Sequence, residues 1–561
     1  MGRSCSFSSL SAVSKFAAVR IPAIGRQCFS SLASARPASS LTFVRRRSFS
    51  TASPAVANSL KPLEFRTVPF VREDLQNIVD EVPEFKFYYL GDEETHTNIY
   101  ASIPLDQSIP QHTSTSLSYQ PVDTSLKLSK LENGLRIASV DKGGLTSSLG
   151  LFVHSGSRFE DSLNSGVSHM IENMAFHSTA HLSHLRTIKS LETLGVQAHC
   201  TIGRELTIYM AEGLRNTVPL LIPMLTGNIL FPRFLPWELK SNANRLTMVR
   251  EALEKNPDAL VTELLHTTAW HNNTLGRKLY STEKSLEYYN GDVLREFMLQ
   301  HFFPDNMVFV GVNVDHEEIC KWLMRSFVDY NAIPSHKRIL EKAIYTGGNC
   351  RIEGNSPLAH LAIAFETPDG WNSADLVPMT LLHSLMGGGG SFSTGGPGKG
   401  MYTQLFLNVL NQNDWVDSCM AFNTQYTDSG LFGVYMTANP MQGEAMVRVI
   451  AEELKEMKSV TKLELNRAKN ALKSSIWMNL ESSPVIMEDI ARQLIMSGNI
   501  RSGEDFCMAI DAVTESDIRR VAEKLVQQKP TVVAYGDIST IPHYDEICSV
   551  LKKVTLSNIG K

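Results

Sequence analysis

Leu358-Ala-His-Leu-Ala-Ile-Ala-Phe-Glu366 reads as an apolar strand, followed by Asp369-Gly-Trp and an apolar helical stretch from Ala374 to Met386. The same order stands earlier in the chain. Ser147-Ser-Leu-Gly-Leu-Phe-Val-His154 is followed by Gly156-Ser-Arg and a helical stretch from Val167 to Phe176. The endings match as well. Asn306 to Val314 runs from a β-branched strand into a helical pattern over Asp315 to Leu323, and Pro530 to Asp537 runs toward Tyr544 to Leu551. A repeat of this length has to be found before the fold is assigned, because each copy is a folding unit. Short β-branched strands bounded by glycine and alternating with helical patterns predict an α+β fold, a sheet covered by helices in each half. The pieces Thr217 to Asn228, Pro236 to Lys255 and Gly443 to Met457 have mixed faces, suited to packing on one side. The joint falls between Asn331 and Gly348, where Pro334 and Gly347-Gly348 interrupt the pattern. Two such halves can face each other as a clam shell with a chamber between them.

The first sixty residues have a different chemistry. Between Met1 and Pro62 there is no Asp or Glu, while Arg and Lys recur and Ser is frequent. That is the composition of a mitochondrial presequence, and Ser and Lys interrupt the unbroken apolar core that a secretory signal needs. Arg47-Ser48-Phe49-Ser50 places the expected cut between Phe49 and Ser50. Loss of residues 1–49 removes eight positive and no negative charges, taking the formal charge from −5 to −13. Nucleic acid is excluded as a partner for so acidic a chain, because phosphate contact needs a basic surface. No apolar run has the length of a spanning helix. The eight cysteines form no C-x-x-C pair, which argues against a disulfide framework or a structural zinc site.

The expected organisation is a presequence (1–49), an extension of low order (50–125), a first domain (126–333), a linker (334–348) and a second domain (349–558).

On the first helix of the repeat, Ser168-His-Met-Ile-Glu-Asn173 places His169, Glu172 and Asn173 on one face. The inverted zinc motif H-x-x-E-H has that geometry: two imidazoles bind the metal, the Glu takes a proton from water, and a distant Glu completes the site. Here Asn173 replaces the second imidazole, and Glu251 stands about where the third ligand is expected. A neutral amide is a poor zinc ligand, so the motif is degenerate and neither metal nor catalysis is expected of this chain. His177, His181 and His184 follow closely, but Phe176-His-Ser-Thr-Ala180 reads as a helix end, leaving them as solvated or edge histidines.

In the second half, the apolar helix runs into a glycine-rich stretch: Gly387, Gly388, Gly389, Gly390, Ser391, Phe392, Ser393, Thr394, Gly395, Gly396, Pro397, Gly398, Lys399, Gly400 and Met401. Glycines in this number are costly to order and bury little, so filler is a poor account of them inside a domain. Lys399 precedes Gly400 rather than Ser or Thr, so the stretch is no P-loop. The reading is a mobile binding loop whose backbone can serve a peptide of any sequence, with Phe392 and Met401 able to touch apolar residues.

Gly387 to Met401, Leu131-Glu-Asn-Gly-Leu-Arg136, Gly166 to Phe176 and Pro304 to Val312 together resemble the alpha subunits of the mitochondrial processing peptidase. These are members of the pitrilysin-like family with the inverted zinc motif. The resemblance covers about Lys127 to Val554; the extension at 63–125 is longer than it leads one to expect. It implies two homologous pitrilysin-like domains and a non-catalytic subunit that binds presequences of imported precursors through Gly387–Met401. It implies a zinc-bearing beta subunit as partner, no cofactor in this chain, and a location in the matrix or on the matrix face of the inner membrane. A core subunit of the respiratory cytochrome bc1 complex, with that complex's subunits as partners, is the alternative it implies, and one chain can serve both roles.

Overall fold

The structure is a computed structural model that describes residues 63–68, 123–328, 330, 340–390 and 401–556. The expected cleavage site Phe49-Ser50, the stretch Ser391–Gly400 and most of the 50–125 extension lie outside the described residues. The described residues belong to one contact unit, Leu60–Lys561.

Seven strands form the first sheet: β1 (Arg66–Val68), β2 (Lys127–Leu131), β3 (Arg136–Val140), β4 (Thr146–Val153), β5 (Gln197–Ile202), β6 (Thr207–Leu214) and β7 (Met307–Val312), in the order β1-β2-β3-β7-β4-β6-β5. Six form the second: β8 (Gly348–Glu353), β9 (Ala359–Glu366), β10 (Gly388–Gly390), β11 (Val416–Gln425), β12 (Gly430–Ala438) and β13 (Thr531–Gly536), in the order β10-β11-β12-β9-β13-β8. The repeat survives in the topology. β3-β7-β4-β6-β5 corresponds to β8-β13-β9-β12-β11, with one parallel pair followed by three antiparallel pairs in each. The glycine strand β10 is an addition, laid outside β11 where the first sheet ends at β5.

The helices of the first half are α1 (Val167–Asn173), α2 (His184–Thr193), α3 (Val218–Leu230), α4 (Pro236–Glu254), α5 (Pro257–Ala269), α6 (Glu283–Tyr288), α7 (Gly291–His301) and α8 (His316–Phe327). Those of the second are α9 (Leu376–Met386), α10 (Gly443–Glu456), α11 (Lys462–Asn479), α12 (Ser483–Met496), α13 (Gly503–Ala512), α14 (Glu515–Val526) and α15 (Tyr544–Leu556). α1 ends earlier than the pattern to Phe176 suggests, and Phe176 has φ +59°, outside helical space.

Each central strand is apolar on both faces because each sheet is covered twice. On β4, Leu149, Leu151 and Val153 join the first half's own core, while Phe152 points to the opposite side. There it meets Ile486, Met487, Ile490, Ala491 and Leu494 of α12, a helix from the second half. The exchange is reciprocal. On β9, Leu361, Ile363 and Phe365 face the second half's own helices. Ala362 and Ala364 face Val261, Leu265 and Ala269 of α5, a helix of the first half, together with Trp270. Burying one large apolar side chain contributes about 1.5–3 kcal/mol, so two shared clusters bind the halves strongly. Gly150 is needed for this approach: a Cβ there would stand 2.8 Å from Met487 Sδ.

A buried ion network adds direction. Arg158 Nη1 donates to Glu205 Oε1 (2.5 Å), and Arg158 Nη2 donates to Asp428 Oδ2 (2.6 Å) of the other half. The extension departs from its expected low order at one place. Residues 66–68 pair in parallel with β2, Arg66 bonds Glu317 (2.6 Å), and Leu63 and Phe65 pack on the cluster formed with α12. The architecture is the two-domain α+β sandwich that the repeat predicts.

Candidate functional site

α1 is seven residues long and is held at its start by one buried acid. Glu160 accepts from the backbone N–H of Gly166 (2.6 Å) and of Ser168 (2.9 Å), satisfying donors that a helix start leaves open. Burial pushes the Glu160 carboxyl up to about 7. Gly166 is required, since its φ is +86° and a Cβ would meet Ser281 Cα at 2.6 Å.

His169 is buried, with the ring of Tyr280 edge-on at 5.2 Å. Its Nδ1 lies 3.2 Å from the backbone nitrogen of Ser281, which can only donate. Nδ1 is therefore favoured as an acceptor, with the proton of the neutral ring on Nε2. Burial, reinforced by Arg245, pulls the imidazole down to about 4, so the ring is neutral. Burial also pushes the Glu172 carboxyl up to about 7, against a backbone hydrogen bond from Ile202. Asn173 turns its Nδ2 back to the His169 carbonyl (2.8 Å) and accepts from Arg245 Nη2 on Oδ1 (2.5 Å).

These groups do not make a zinc donor set. One imidazole presents N–H where a metal needs a lone pair, and the amide oxygen is taken by a guanidinium. Glu251 is exposed and six residues beyond Arg245 on α4, which turns it about 120° around the helix from the residue that meets α1. Among the described residues no group of three His, Cys, Asp or Glu is arranged to hold a metal. The following histidines leave the helix register. His177 stacks on His184 at 4.1 Å and accepts from Asn242 (3.0 Å), while His181 packs against Phe231.

The second place of interest is the start of the glycine stretch. α9 stands after β9 as α1 stands after β4, and β10 follows it. Gly387 (φ +56°) and Gly388 (φ +111°) are structural: a Cβ would run into Thr403 at the first and the Cys419 carbonyl at the second. Gly389 and Gly390 are different, because among the described residues a Cβ on either would meet nothing within 4 Å. Packing against the described residues does not demand their lack of side chains. β10 is an edge strand, with Gly388, Gly389 and Gly390 facing Met420, Cys419 and Ser418 of β11. The Gly388 amide donates to Thr403 Oγ1 (3.2 Å). Met401, Tyr402, Leu407 and Met420 are exposed nearby. Ser391 to Gly400, the rest of the expected binding residues, lie outside the described residues.

Glu160, Ser281 and Arg245 had no signal in the sequence reading. Arg245 and Asn173 are 72 residues apart, and nothing local to either announces the pair.

Comparison with known proteins agrees with this geometry. Residues 136–283 match the family described as Insulinase (Peptidase family M16), and residues 289–472 match Peptidase M16 inactive domain. The mitochondrial-processing peptidase subunit alpha of Solanum tuberosum is 38% identical over 428 residues, 75% of this chain and 84% of that protein. The Homo sapiens protein of the same name is 34% identical, over 76% of this chain and 84% of its own length. A chain of the solved structure "Complex III2 from Candida albicans, Inz-5 bound" shares the fold with a TM-score of 0.66 at 20% identity, covering 76% of this chain and all of that one. The chain belongs to peptidase family M16, in the group of mitochondrial-processing peptidase alpha subunits.

Proposed function

We propose that this chain is the non-catalytic, presequence-binding subunit of a mitochondrial heterodimeric peptidase whose beta subunit carries the zinc and cleaves. One observation carries the reading. The second half adds a glycine strand to an open sheet edge, directly after the counterpart of a motif helix that has lost its metal donors. An edge strand can pair with an extended peptide through backbone groups, which suits leaders that share charge and little sequence. Among the described residues nothing stands within 4 Å of a Cβ built on Gly389 or Gly390, and the exposed Met401, Tyr402 and Met420 offer apolar contact. Ser391 to Gly400 join the proposed binding stretch on their composition and sequence position alone. The chain itself works in the mitochondrion, in the matrix or at the matrix face of the inner membrane, after its leader is cut between Phe49 and Ser50. Among the described residues no helix is long and apolar enough to cross a membrane.

The test uses the chain from Ser50 onward, alone and with its beta subunit, and a fluorescent basic presequence. Binding by this chain and cleavage only by the pair are expected. Cleavage by this chain alone, or a pair that ignores the leader, overturns the reading. The alternative, a core subunit of complex III, fits the fold of the Candida albicans neighbour. It predicts co-migration with cytochrome b in a membrane extract.

A further inference from the structure

In an H-x-x-E-H helix the metal lies between the imidazole tips at i and i+4, on the face those positions share. Asn173 holds the second of those positions, with its Nδ2 turned back to the His169 carbonyl and its Oδ1 available to a cation. What stands there is Arg245: its Nη2 is 2.5 Å from Asn173 Oδ1, close to the reach of a metal–oxygen bond. The guanidinium comes from α4, whose Asn242 also bonds His177 and touches Met174 Sδ (3.1 Å), so the helix is fixed against the end of α1.

We propose that Arg245, exposed but hydrogen-bonded to Asn173, occupies the metal's position as a cation, and that this second change, beyond the loss of an imidazole at 173, keeps the site closed to divalent ions. Two physical effects act together. A guanidinium stays charged at all working pH values and repels a second cation a few ångströms away. The expected third ligand, Glu251, is exposed and about 120° around α4 from Arg245, on a different side of that helix. The Ser281 N–H favours the Nε2–H tautomer of His169, while Ser281 Oγ, also 3.2 Å from Nδ1, can accept from the other tautomer. Restoring the imidazole alone thus leaves one ring that favours the wrong tautomer and a cation in the way.

The inference deepens the non-catalytic part of the proposed function but is read without partner or presequence, so either can fail alone. The chain from Ser50 onward is prepared as wild type, Asn173→His, Arg245→Glu, and the double variant. Each is equilibrated with buffered micromolar zinc, gel-filtered and analysed for metal, with circular dichroism and thermal melting to verify the fold. The double variant is expected to hold about one zinc per chain, and the wild type and both single variants almost none. Stoichiometric zinc on Asn173→His, or on the wild type, overturns the proposal. So does a natively folded double variant without zinc. If Arg245→Glu unfolds the chain, Arg245→Leu with Asn173→His replaces it. That pair is expected to bind zinc at least about tenfold more tightly than Asn173→His alone, and equal affinity overturns the proposal.

Discussion

Arg158 of the first half and Asp428 of the second form a two-pronged pair: Nη1 donates to Oδ1 at 2.7 Å and Nη2 to Oδ2 at 2.6 Å. The arginine is buried and also serves Glu205 and the Glu341 carbonyl. One side chain therefore satisfies an acid from each half and the segment that joins them. Removing it strands Glu205 in the interior. Arg158→Met is expected to cost about 3–5 kcal/mol, measured by urea unfolding of the chain from Ser50. A loss below 1 kcal/mol would show the network to be dispensable.

The exchanged helix can be tested by coupling. A Cβ built on Gly150 would stand 2.6 Å from Phe152 Cε2 and 2.8 Å from Met487 Sδ of the other half. Gly150→Ala alone overpacks the contact at a cost of about 1–3 kcal/mol. Met487→Ala opens a cavity at about 2–5 kcal/mol. Together they should cost less than their sum, with a coupling above about 0.5 kcal/mol. Additive losses would place α12 away from β4.

The glycines of β10 divide into two kinds. Gly388→Ala puts a side chain into the Cys419 carbonyl at positive φ, so it should destabilise by about 1–3 kcal/mol. Gly389→Ala and Gly390→Ala meet no described residue within 4 Å and should leave the melting temperature within experimental error. Deleting Ser391 to Gly400 should weaken presequence binding by about tenfold or more while the pair still assembles. Fluorescence anisotropy with a labelled leader reads this outcome, and unchanged affinity would remove the loop from the binding surface.

Burial pushes Glu172 up to about 7, with Glu160 and Glu453 raised similarly. Between the ordinary carboxylate range and pH 7 the folded chain holds protons that the unfolded chain has released. The stability these neutral acids provide is complete below about pH 4.5 and is lost as pH rises through 7. The contribution of these three acids to the unfolding free energy should therefore fall between pH 5 and 7, while the depressed His169 contributes in the opposite sense between about pH 4 and 6.5. Glu172→Gln should flatten the slope by up to about 1.4 kcal/mol per pH unit. A slope identical to wild type would mean that Glu172 is already ionised in the folded chain.

The repeat, the strand and helix order and the degenerate motif could all be read along the chain. Hydrophobic periodicity is local, and the stretch marked from Ala374 to Met386 forms a helix over Leu376–Met386. His169, Glu172 and Asn173 share a helix face by spacing alone, which needs no tertiary information. The glycine stretch also announced itself by composition, since few other roles account for so many glycines in a domain.

What the chain order could not specify is which distant groups meet. The exchange of α5 and α12 between halves, the Arg158–Asp428 clamp and the seat of Arg245 on Asn173 join residues far apart in sequence. Glu251 and Arg245 stand six residues apart on one helix, and only the orientation of α4 against α1 selects the arginine. Short-range pattern records which face of an element is apolar. The rotation of one element against another follows from how the whole core fills its volume, and tertiary packing alone decides that.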